Sequence, residues 1–120
     1  MYTIKYYRTA NGKELASECL NGLNLKARAA FRKRQGLLEK GLLPFKWPYV
    51  GYLRDKIYEF RVEIERNTYR ILFFFVFKNY MLFTHAFMKK TDKVPDNEIE
   101  RALRYKADFE NRYKKGEYEL

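Results

Sequence analysis

A chain of 120 residues, 47% of them hydrophobic, is long enough to bury one compact core and too short for two ordinary domains, so residues 1–120 read as one domain. Its formal net charge of +10 points to polyanionic partners, either nucleic acid or an acidic protein that covers the same surface. The single Cys19 excludes an internal disulfide, and no Cys/His set has metal-ligand spacing. Met1 to Arg8 lacks a signal-peptide pattern, and the longest fully apolar run, Ile71 to Phe77, is too short to span a bilayer. The expectation is a cytoplasmic protein with no membrane span and no structural zinc.

In chain order, Tyr2 to Tyr7 is rich in strand formers and Ala10-Asn11-Gly12 breaks it, which predicts a first strand and a turn. Leu15, Cys19, Leu20 and Leu23 then recur at helical spacing, with Cys19 read as a small buried hydrophobe. Asn21-Gly22 and Asn24 interrupt this face, and Ala27, Ala30, Phe31, Arg34, Leu37 and Leu38 extend a second one to Gly41, which predicts an αα-hairpin. No acidic residue lies between Glu18 and Glu39, whereas Lys26, Arg28, Arg32, Lys33 and Arg34 form a basic ridge. Such a ridge is either a solvated helix face or a surface for RNA phosphates or an acidic partner.

Pro44, Trp47, Pro48 and Gly51 predict an ordered loop, after which a sheet begins. Tyr58, Phe60, Val62 and Ile64 alternate with Glu59, Arg61 and Glu63, the period of a half-buried strand. The nearly continuous apolar run Tyr69 to Phe77 predicts a central strand, and Tyr80 to Met88 the next, with turns at Glu65 to Thr68 and at Lys78-Asn79. Pro95 opens a last helix whose Asp96, Glu98 and Glu100 complement its dipole and whose Ile99, Ala102, Leu103, Phe109 and Tyr113 can face the sheet. The polar tail from Lys114 is expected to fray unless a partner offers Tyr118 and Leu120 a groove. The order β, α, α, β, β, β, α implies an α+β domain with helices packed on one face of a mainly antiparallel sheet.

Strand register turns this pattern into a candidate site. If Ile64 pairs with Tyr69 and Phe77 with Tyr80, then Arg61, Leu72 and His85 stand in one row and share a face with Glu59, Glu63 and Arg70. Lys89 has the parity of His85. With one histidine and no aspartate cluster, neither a two-metal nuclease nor a two-histidine pair is available, but metal-free RNA cleavage is. Attack of a ribose 2′-hydroxyl on its phosphate needs a base, cations for the phosphorane and a proton for the leaving oxygen. Arginine suits the cationic task, and His85 or a lysine of depressed pKa suits proton transfer. The structural alternatives are a satisfied core histidine, an Arg61 paired with Glu59 and Glu63, and lysines protecting a strand end.

Three ordered blocks resemble the phage-derived HigB-like toxins of the RelE/ParE superfamily. They are Ile57-Tyr58-Glu59-Phe60-Arg61, then Tyr69-Arg70-Ile71-Leu72-Phe73-Phe74, then the stretch from His85 through Lys89-Lys90 and Pro95 to Leu103. The resemblance implies a RelE-like fold and a type II toxin that enters the ribosomal A site and cuts mRNA, with a HigA-like helix-turn-helix antitoxin as partner and no cofactor. By matched position it implies that Arg61 and Arg70 hold the scissile phosphate and that Lys89 or Lys90 supports cleavage or RNA binding. His85 precedes them in the same block, and Lys93 joins the ridge as an RNA-binding candidate. Glu59 stands where RelE carries lysine, and no residue matches the tyrosine of RelE's last helical segment, so the general base stays unassigned. A ParE-like gyrase inhibitor shares the fold and is the alternative, and a relative that kept the fold but lost activity is a third. On this reading Arg70→Ala removes toxicity without unfolding the protein.

Overall fold

In the computed structural model, residues 1–88 and 93–120 are described. They form β1 (Thr3–Tyr6), α1 (Leu15–Asn21), α2 (Leu25–Glu39), β2 (Val50–Arg54), β3 (Ile57–Ile64), β4 (Asn67–Val76), β5 (Tyr80–Met88) and α3 (Asp96–Lys114). The sheet order is β1-β5-β4-β3-β2, with β1 parallel to β5 and every other pair antiparallel. The α+β class and the αα-hairpin are as the pattern predicts. The Asn24 side chain caps α2 by accepting from the Ala27 amide at 2.8 Å. Gly41, at φ +72°, ends α2 with bonds from its own amide to Leu38 O and from the Leu42 amide to Leu37 O.

Helices cover both faces of the sheet, which corrects the expectation of one covered face. Ala16, Leu20, Ala27, Phe31 and Leu38 from α1 and α2 pack on Phe60, Val62, Ile64, Ile71, Phe73, Met81 and Phe83. Ile99, Ala102 and Phe109 from α3 pack on Ile57, Leu72, Phe74, Val76 and Leu82. A strand buried on both sides shows no alternation, which is why β4 reads as a continuous apolar run. Burial of each large side chain contributes roughly 1.5–3 kcal/mol, and both layers draw on it.

Two registers differ from the expected ones in ways that leave the faces intact. The β3–β4 turn is two residues long, Glu65-Arg66, so Ile64 pairs with Asn67 and Arg61 with Arg70 rather than with Leu72. A shift of two residues keeps every side chain on its face. Both turn residues have positive φ, 58° and 95°, as do Asp55 and Lys56 in the β2–β3 turn at 51° and 65°, without the glycine or asparagine that usually signals such turns. At the other hairpin Val76, not Phe77, pairs with Tyr80, and a bulge at Thr84 restores Leu72 opposite His85. The bulge also lets Leu82 and His85, three residues apart, face the same side.

β2 is a fifth strand that the sequence pattern does not announce. It lies within and after the segment expected to be loop, and pairs Val50 with Phe60 and Tyr52 with Tyr58. The C-terminal tail docks on the chain itself instead of fraying. The Tyr118 hydroxyl accepts from the Arg8 amide at 2.9 Å, its ring meets Phe109 at 4.9 Å, and Arg8 donates to Glu119 O at 2.7 Å. Beside it the Tyr7 hydroxyl donates to Asp108, which also accepts from Arg112 Nε at 2.9 Å. Burial and then the Asp108 contact push the Tyr7 phenol far up. Burial works to raise the Asp108 carboxyl, but the bonds from Arg112 and Tyr7 hold it below its ordinary value. Cys19 is half-buried rather than buried, and burial pushes its thiol up.

Candidate active site

On the α3 face of the sheet, Glu59 and Arg61 on β3, Arg70 on β4 and His85 on β5 come together. Arg61 and Arg70 are direct cross-strand partners, so their guanidiniums stand side by side. Like charges at that spacing need an anion nearby, and the Glu59 carboxylate lies 3.9 Å from Arg70 Nη1. All four are buried, with Arg70 and His85 at 1% exposure and Arg61 at 8%. The expectation placed these residues together but on an accessible face.

Arg61 is the member nearest solvent. Its guanidinium lies 4.1 Å over the Trp47 ring and donates to Pro48 O at 3.3 Å. β2 begins at Val50, so the outer half of β3 is a sheet edge there, and a cavity of about 220 Å³ opens between Arg61, Glu63, Pro48, Tyr49 and Arg34 of α2. Arg70 sits behind this opening.

His85 belongs to a different neighbourhood. The Thr84 hydroxyl donates to Leu72 O at 3.0 Å, which leaves its oxygen to accept from His85 Nδ1–H at 3.0 Å. The Nε2 lone pair then points toward the Glu98 carboxylate, 3.5 Å away. Burial first, then the charges of Arg101 and Arg104, push the imidazole down to about 3. The contact with Glu98 is therefore not an ion pair at neutral pH, and His85 carries no proton to give a leaving group there. This corrects the expectation of an acid–base histidine, because α3 desolvates the ring and surrounds it with arginines.

The basic ridge is divided by the fold. Arg34 reaches the Arg61 cavity. Arg28 and Arg32 line a separate cleft with Glu14, Ser17 and Tyr6, while Lys26 and Lys33 are exposed on α2. Ridge and cluster otherwise lie on opposite sheet faces, which the sequence pattern could not show. Lys93 lines a third cavity near Glu59. Lys89 and Lys90 lie outside the described residues. Among the described residues, no group of three or more His, Cys, Asp or Glu is placed to hold a metal ion, and no helix is long and apolar enough to cross a membrane.

Two residues that sequence reasoning passed over belong to this region. Tyr105 of α3 lies 5.7 Å from the His85 ring and accepts from Arg101 Nε at 2.8 Å. Its spacing from Ala102 and Phe109 marks it as sheet-facing, a signal that was available. Trp47, taken only as part of a loop, stacks on Arg61. The family model described as phage-derived protein Gp49-like (DUF891) matches residues 18–107, a span that includes Trp47, the cluster and most of α3. No curated protein matches the chain.

Proposed function

Because the chain belongs to the Gp49-like family of phage-derived proteins, a toxin family of RelE/HigB type, we propose that it is the toxin of a type II toxin–antitoxin pair and cuts mRNA at the ribosome without a metal ion. The observation that carries this reading is the cross-strand pair Arg61 and Arg70 braced by Glu59. Two adjacent guanidiniums match the charge that builds on a phosphorane, and they stay charged at any physiological pH. Arg61, at the mouth of the cavity shared with Arg34, is the group that meets the phosphate. Arg70 is a positioning residue that fixes Glu59 and Arg61 from behind, and His85 holds the β5 bulge to α3. A helix-turn-helix antitoxin of HigA type would cover the basic surface, and the site of action is the cytoplasm.

Mapping of transcript 5′ ends shortly after pulsed expression tests this. New ends within translated frames support the reading. Growth arrest without new ends would contradict it and point to a protein target such as gyrase.

A further inference from the structure

A cavity of about 380 Å³ lies between β2, the start of α3 and the loop before β2, lined among others by Trp47, Gly51, Tyr52, Arg54, Glu59 and Lys93. Its size falls in the range of about 300–1,000 Å³ typical of small-ligand sites. Its walls are unusual for a surface this basic. Trp47 and Tyr52 are 52% and 59% exposed, which is costly for large rings unless something covers them. One face of Trp47 holds Arg61, and Tyr52 is braced edge-on by Tyr58 at 5.1 Å. Gly51 keeps the floor open: a Cβ there would meet Glu59 Oε1 at 3.3 Å and Trp47 Cε3 at 3.5 Å. The carboxylate of Glu59 thus lies at the base of an aromatic-walled cavity with Arg54 and Lys93 at its rim.

We propose that this cavity is a nucleobase subsite that selects guanine, with Trp47 and Tyr52 as its aromatic walls and Glu59 as the acceptor for the base edge. Stacking on aromatic rings is indifferent to base identity, so it supplies affinity without choice. An ionised carboxylate supplies the choice, because it only accepts hydrogen bonds. Guanine presents two adjacent donors, N1–H and the 2-amino group, to its two oxygens. Uracil offers one donor between two carbonyls, and adenine and cytosine each set a ring acceptor beside their amino group. The rim cations Arg54 and Lys93 then face the phosphates on either side of the base. The ligand class rests on the RNA-cutting reading, but the test does not.

Trp47 is the only tryptophan of the chain, so its fluorescence, excited selectively, reports on the cavity. The purified protein is titrated with guanosine, adenosine, cytidine and uridine 5′-monophosphates in turn. Guanosine monophosphate is expected to change the Trp47 signal at about tenfold or more lower concentration than the others. Glu59→Gln, which puts a donor where an acceptor stood, is expected to abolish that preference. Tyr52→Ala removes an exposed ring, is expected to leave the fold intact, and weakens all four ligands alike. The proposal is overturned if no nucleotide changes the signal, if the native protein does not distinguish the four, or if folded Tyr52→Ala binds them as well as before. Transcript cutting without nucleotide binding at Trp47 would remove the subsite and leave the toxin reading standing, whereas guanine-selective binding without cutting would do the reverse.

Discussion

The two faces of one sheet are built from the same strands and do opposite things. Under α1 and α2 the face is apolar throughout, with Phe31 packed edge-on against Phe60 at 6.1 Å. Under α3 the apolar half around Phe74 and Phe109 gives way to Glu59, Arg61, Arg70 and His85, each desolvated and each needing a partner. The first face contributes stability without chemistry. The second spends stability on charges, and a fold accommodates such a cost where the charges are used.

The largest expected effects fall on both faces and differ in how they can be repaired. Phe31→Ala leaves a cavity and is expected to cost about 3–5 kcal/mol by urea unfolding. Arg70→Ala leaves Glu59 buried beside a vacancy and is expected to cost a similar 3–5 kcal/mol. The expectation that Arg70→Ala stays folded is thereby withdrawn, since Arg70 is a buried structural charge as well as a site residue. Replacing the pair together, Glu59→Leu with Arg70→Met, is expected to recover most of that loss, because a buried ion pair can be exchanged for apolar packing. If the double variant is as unstable as Arg70→Ala alone, the pair is not the source of the cost.

A smaller effect separates the faces by pH. His85 has a folded value of about 3 against an ordinary 6.5, so below 6.5 the unfolded chain takes up a proton that the folded one refuses. Its contribution to stability is present above about pH 6.5 and lost as pH falls toward 3. In His85→Gln, unfolding curves recorded across that window should flatten, whereas Phe31→Ala should shift without changing shape. Smaller still, Tyr118→Phe removes the acceptor for the Arg8 amide and is expected to cost about 1 kcal/mol. A larger loss would mean that the docked tail holds more of the α3 layer than its contacts indicate.

Much of this arrangement is legible in the sequence, because parity along β3 and β4 is. Arg61 and Arg70 fall on one face under any register shifted by an even number, so the cluster survives a misjudged turn. The exact partners are not legible, since Glu65-Arg66 and Asp55-Lys56 make tight turns from residues that seldom signal them. β2 is hidden because its short run contains Gly51 and follows Pro48, and pairing with β3 rather than local propensity makes it a strand. What the pattern could not show is burial. That α3 lies over the cluster, and so silences His85 and leaves Arg61 at the edge, follows from the two-sided packing of a sheet whose alternation appears in β3 alone.

The central claim is that Arg61 serves chemistry while Arg70 serves the fold, and one variant tests it most directly. Arg61→Ala is to be expressed at the soluble level of the native protein, its urea midpoint measured, and transcript 5′ ends mapped in the same cells. The predicted result is a midpoint close to native, since the loss is confined to a cation–π contact and a long hydrogen bond of about 1–2 kcal/mol together, with cutting abolished. Cutting that continues in folded Arg61→Ala would contradict the account.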